Sequence, residues 1–221
     1  MSIIYLYRFI YIIILISINQ ILWADDNDKN KKELAIHHFM QGEFLLNQGN
    51  YALAVLEFQD ALDIDPNAST IHISIADAYR RLGRSKHAEN HLQIAIDLDP
   101  EELSSREMLG HLYLISRRYV EAEKEFLFLS NLDVNNDSYL ITLADLAKMQ
   151  EKWGISIDYY LKAFNLNPQN LKALENALQV CLGAELFKKA EIICLKLAQN
   201  DPANISYWRT YKQITAYNKN Y

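Results

Sequence analysis

Two histidines, His87 and His91, stand four residues apart in the stretch "SKHAENHLQ". On a helix that spacing sets two imidazoles on one face, as a bound zinc ion requires. No third ligand is identifiable, and Lys86, Glu89 and Asn90 mark the surroundings as an exposed, solvated face; the pair is read as surface and no metal is expected. His38 and His72 are read as half-buried packing residues rather than proton-transfer groups. Cys181 and Cys194 form no CxxC or metal-ligand pattern. They are read as small core residues, and a disulfide would join them only if their Cβ atoms approached to about 4 Å. No P-loop, GxSxG elbow, HExxH or paired-glycine fingerprint occurs. With no nucleophile and base that can be named as a pair, neither enzymatic chemistry nor a cofactor is expected.

The chemistry that remains is recognition. A net charge of −6 and no basic run longer than the Lys29 to Lys32 stretch "KNKK" exclude nucleic acid as the expected partner. Half of the 221 residues are hydrophobic, enough for a sizeable core, and only 6 Gly and 4 Pro are present, which favours helices joined by short turns. The chain opens on a short leader ending at Arg8, an apolar stretch from Phe9 to Ile18, and an acidic segment from Asp25. That order, with the cation before and the acids after the apolar core, is expected of a secretory signal peptide ending near Ala24, or of an uncleaved membrane anchor. In either case the remainder is expected to be exported, to a periplasmic or other extracytoplasmic compartment.

The phrase "ALDIDP" ending at Pro66 returns as "AIDLDP" ending at Pro100, and Pro168 and Pro202 repeat the interval of 34 residues. Each unit carries a small residue followed four later by a large or apolar one: Ala54 and Phe58, Ala88 and Leu92, Ala122 and Phe126, Ser156 and Tyr160, Ala190 and Cys194. Upstream comes a spaced trio, best seen as Leu109-Gly110-x2-Tyr113. These residues resemble the tetratricopeptide repeat family, whose unit is a helix-turn-helix of about 34 residues with an LG-x2-Y, A-x3-F, P pattern.

The resemblance implies an all-α, right-handed superhelical solenoid of five helix-turn-helix repeats at 35–68, 69–102, 103–136, 137–170 and 171–204. A polar linker at 25–34 would precede it, and a capping helix at 205–221 would follow, with Ile205, Trp208 and Ile214 inward and Arg209, Lys212 and Gln213 outward. Helices are expected at about 36–47, 51–64, 69–82, 85–98, 103–115, 119–132, 137–150, 153–166, 171–182 and 187–200. Gly42 and Gly110 are expected to allow close packing and Gly49 and Gly83 to make turns. Leu178, where other units have Gly or Ala, is expected to push its two helices apart. Asn67, Asn136 and Asn204, each followed two later by Ser, are read as helix caps before glycosylation sites.

In the resembled family the first helices line a concave groove, which implies candidate contact residues at positions two, five, nine and twelve of each unit. Phe39, Glu43, Ile73, Asp77, Arg80, Glu107, His111, Ile141, Asp145, Lys148, Glu175 and Gln179 stand at such positions. The ninth-position row of Glu43, Asp77, His111, Asp145 and Gln179 is acidic at three of five places. The expected partner is a protein segment with apolar anchors and some basic character. The expected role is a protein-interaction scaffold of the cell envelope; the alternative is a membrane-tethered, non-catalytic recruiting subunit of an envelope biosynthesis complex.

Overall fold

A computed structural model describes residues 29–219, and every regular element among them is an α-helix. They are α1 (29–47), α2 (Tyr51–Ile64), α3 (Ser69–Arg81), α4 (Ser85–Leu98), α5 (Leu103–Ile115) and α6 (Tyr119–Leu132). Then follow α7 (Asp137–Met149), α8 (Trp153–Leu166), α9 (Leu171–Gly183), α10 (Phe187–Asn200) and α11 (Ile205–Lys219). The chain divides into two compact units, one ending at Ser105 and the other beginning at Arg106. In the first, α2 packs on α3 and α3 on α4; in the second, α6 packs on α7, and so on in chain order to α11. Consecutive elements are therefore neighbours, as a helical repeat array requires. The expected signal or anchor segment at 1–24 lies outside the described residues, among which no helix is long and apolar enough to cross a membrane.

The small-then-large pairs form the core in all five repeats: Ala54 with Phe58, Ala88 with Leu92, Ala122 with Phe126, Ser156 with Tyr160 and Ala190 with Cys194 are all buried. The first-helix position that faces them varies in size to match. A Cβ on Gly42 would stand 2.5 Å from the Phe58 ring, and one on Gly110 2.8 Å from Phe126. In the fifth repeat the sizes are exchanged. Leu178 takes the place of the small residue and Cys194 the place of the ring, and both lie in one buried cluster. The small thiol makes room for the larger residue, yet α9 and α10 approach each other along less of their length than α3 and α4 or α7 and α8 do, in the direction that leucine at this position leads one to expect.

The turn inside each pair repeats down to its backbone conformation. Gly49 and Gly83 have φ of +81° and +72°. The equivalent positions in the other repeats are Arg117, Glu151 and Glu185, left-handed at φ 57° to 58° without the help of glycine. In each, the next residue donates its N–H to a carbonyl five residues back, as Arg84 does to Tyr79 and Leu186 to Cys181, both at 2.8 Å. This is the Schellman closure of a helix C-terminus, and it reverses the chain within three residues. Gly154 is the second residue of α8 and takes no part in the fourth turn.

Three expectations are corrected. Residues 29–34, read as polar linker, are already helical; Lys29 to Leu34 contains neither Gly nor Pro and is rich in good helix formers, so α1 extends upstream of the repeat boundary. Ile205, read as inward, is 72% exposed. The inner stripe of α11 runs instead through half-buried Tyr207 and Tyr211 to buried Ile214. Position eight of this helix is Lys212, where a second helix would need Gly or Ala against it, which suits α11 to end the array. Of the three caps, Asn136 and Asn204 accept the backbone N–H of Ser138 and Ser206 at 3.1 Å, whereas the residue before α3 is Ala68 and no side chain caps it.

Candidate binding face

The family positions at two, five, nine and twelve all lie on the first helix of each pair, α1, α3, α5, α7 and α9, and several of them also touch the second helix. In the first unit, half-buried Phe39 leans on Phe58, with ring centroids 5.8 Å apart. Phe39, Glu43 and Ile73 line one open cleft of about 400 Å³ together with Thr70, Ser74, Glu102 and Ser104. Asp77 and Arg80 do not join it. The Asp77 side chain is only 15% exposed and is held by Arg80 and by Arg81, whose Nε lies 2.8 Å away.

In the second unit the same positions are paired along their own helices. Asp145 accepts from Lys148 at 2.7 Å and from the Tyr160 hydroxyl at 2.6 Å. Glu175 accepts from Tyr207 at 2.7 Å and from Lys172 at 3.1 Å. Those two donors, Tyr207 first, hold the Glu175 pKa below the usual carboxylate range. Glu107 has His111 at 3.9 Å and Tyr139 at 3.5 Å. Ile141 is half-buried and Gln179 exposed.

The face is therefore less acidic than its composition implies: Asp77 and Asp145 of the ninth-position row, and Glu175 at a fifth position, each carry a cation three or four residues away on the same helix. That signal was present in the sequence as i, i+3 and i, i+4 spacing. Glu43 differs, since its recorded partner is a hydroxyl, Ser74 Oγ at 2.5 Å. Glu102, which the family positions miss, reaches the same cleft from the turn before α5. Partial burial opposes its charge, but hydrogen bonds from Ser104 and Ser105 outweigh that and hold its pKa below the ordinary value.

The histidines do something the sequence did not disclose. His72 is 7% exposed, and its Nδ1 lies 2.9 Å from Nδ1 of His91, with Tyr79 against the rings of both His87 and His91. The equivalent pairs, also 19 residues apart, are His38 with Glu57 in the first repeat and Arg106 with Glu125 in the third. The second repeat thus bridges its helices with two imidazoles where the first and third set a basic side chain against a glutamate and the fourth and fifth have only Leu140 with Tyr159 and Leu174 with Ile193. One ring must donate and the other accept. Burial lowers both pKa values, that of His91 to about 4 with help from His72 and His87. An unfolded chain takes up these protons below about 6.5, so stability is full above that pH and falls as the pH drops toward 4. A loss of roughly 1–2 kcal/mol between pH 7 and pH 5 is expected, discounted because water still screens part of His91. Urea unfolding of wild type and of the His72→Phe, His91→Leu double variant checks it: equal pH sensitivity in the two would exclude the pair as the cause.

Cys181 and Cys194 are both buried and free. Burial raises both thiols, Cys181 to about 11, and Cys194 Sγ donates to the Tyr207 carbonyl at 3.4 Å.

Stacked helix pairs with small-to-large interlocking and an open first-helix face define a helical repeat protein of the kind that holds other proteins. The chain belongs to the tetratricopeptide repeat family, whose profile matches residues 28–69 and 73–127. Similar solved structures include a protein named MamA, 16% identical with a TM-score of 0.67, covering 79% of this chain and 96% of that one. Another, described as YrrB, a repeat protein of the same family with an unusual peptide-binding site, is 16% identical with a TM-score of 0.63, covering 86% and 97%. At that identity the likeness is one of fold.

Among curated proteins, 91 residues are 33% identical to a protein O-mannosyl-transferase of Caenorhabditis elegans, covering 41% of this chain and 13% of that one. A further 89-residue match, 34% identical, is to the rat (Rattus norvegicus) DnaJ homolog subfamily C member 3, covering 40% and 18%. The chain spans less than a fifth of either relative.

Proposed function

We propose that this chain is an exported, non-catalytic scaffold that holds segments of partner proteins on its first-helix faces. The observation that carries the reading is the cleft of the first unit, where Phe39 and Ile73 stay half-buried beside unneutralised carboxylates. Half-covered apolar side chains in a concave recess gain about 25 cal/mol for each Å² that a partner removes from water. Ile141, half-buried one turn before Asp145 on α7, offers an apolar anchor in the second unit. A partner segment with spaced apolar side chains and some basic character fits this surface. The peptide-binding site named for one structure of the same fold is in keeping with that use. Export rests on the order of charge and apolar residues in 1–28, and a cell-envelope location follows from it.

Photo-crosslinking in cells tests the binding face. With a benzophenone amino acid at Ile73 or Ile141, discrete protein adducts are expected; at exposed Ile94 and Val120 on the second helices, few or none. Equal labelling from both sets would remove the first-helix face as the binding surface. Intact mass and fractionation of the same material test export. Loss of about 24 residues with soluble recovery supports a free envelope scaffold. Full mass in the membrane supports a tethered subunit, and cytosolic recovery at full mass would overturn export.

A further inference from the structure

The acids of the first-helix face are not equivalent. Asp77, Asp145 and Glu175 are each matched by Arg or Lys within their own helix. Glu43 and Glu102 are held by serine hydroxyls and backbone N–H groups, which orient a carboxylate without cancelling its charge. Both open onto the same cleft, whose floor is Phe39 and Ile73 and whose polar walls are Ser74 and Ser104. The adjoining recess, which shares Phe39 and Thr70 with it, is lined by Lys32 and Asp65, one charge of each sign, whereas both charges of the cleft itself are negative.

We infer that this cleft is the specificity pocket for one arginine or lysine of the bound partner segment, its aliphatic stem over Phe39 and Ile73 and its cationic head between Glu43 and Glu102. The inference rests on the binding role proposed for the first-helix face and names where along that face charge is read. Amphipathic cations bury their methylene stem on apolar surface while the head stays at a polar rim, which is the arrangement of this recess. Arginine suits it better than lysine, because its planar fork can serve two carboxylates at once. A neutral or acidic residue at that point would leave two oriented carboxylates facing no counter-charge, so the pocket also selects against the wrong segment.

The test uses two defined probes, acetyl-Leu-Arg-Leu-amide and the same peptide with citrulline for arginine, which keeps the shape and removes the charge. Each is titrated into the protein as recovered from cells, labelled with nitrogen-15, and amide shifts are followed. The arginine peptide is expected to move the amides of Glu43, Ser74 and Ser104 and to bind about fivefold tighter than the citrulline peptide in low salt, a gap that narrows in 0.5 M salt. The E43Q/E102Q variant should abolish the gap, while D63N/D97N, which removes the same charge from the second helices, should preserve it. Equal binding of both probes in the cleft overturns the arginine pocket and leaves the binding face standing. No shift at any first-helix amide with either probe overturns both.

Discussion

Truncation of Phe126 to alanine is expected to lower the stability of the second unit by about 3–5 kcal/mol, among the largest effects of any single truncation in it. The ring is 1% exposed and is surrounded from three directions. Gly110 brings the α5 backbone against it, His111 meets it edge-on with centroids 5.2 Å apart, and Tyr139 of the next repeat lies at 6.3 Å. Because Gly110 has no side chain to swing into the space, the cavity left by alanine cannot collapse. Leucine serves the equivalent place at Leu92, but opposite Ala76 rather than glycine. Phe126→Leu should therefore fall between wild type and Phe126→Ala. Urea unfolding by circular dichroism gives the difference, and hydrogen exchange should show protection lost from α5 to α7. A loss below about 1 kcal/mol for the alanine variant would mean that the α5 and α6 backbones close the gap.

The period of 34 carried most of the fold because every unit has the same problem to solve, an apolar face that a neighbour must cover. Five repetitions of one weak pattern located α2, α4, α6, α8 and α10 to the residue. Where the repetition stops, legibility stopped as well. The start of α1 follows helix propensity rather than phase, and the inner stripe of α11 is set by how Tyr207 and Tyr211 dock on α10, so Ile205 was misread. The left-handed residues Arg117, Glu151 and Glu185 were hidden because glycine marks that conformation in sequence and is absent there. The candidate site was legible as a set of positions and not as a charge distribution. Whether an acid is available depends on its neighbours: Asp77 is spent on two arginines, whereas Glu43 meets a serine from α3 and Glu102 arrives from a turn. The histidine pair joins residues 19 apart, a separation that acquires meaning only once two helices lie side by side.

Replacing Gly42 by leucine is expected to cost the first unit about 3 kcal/mol, at the upper end for overpacking. Even the first carbon of a side chain would stand 2.5 Å from Phe58, which is fully buried and already leans on Phe39. The fifth repeat shows that leucine is tolerated at this position when the facing residue is small, as Leu178 and Cys194 demonstrate. Phe58→Cys alone should also cost about 3 kcal/mol, through the cavity opposite glycine. Combined, the two changes rebuild the pair of the fifth repeat, and the double variant should be more stable than the sum of the single losses by about 2 kcal/mol. Gly154→Ala, with nothing within 4 Å of the added carbon, serves as the control that glycine removal as such is harmless. Urea midpoints for the four corners of the cycle measure the coupling. Additive losses would mean that the first repeat holds its helices apart by contacts other than this one. A large positive coupling would establish that size exchange across the two facing positions, rather than the identity of either residue, sets the spacing of the pair.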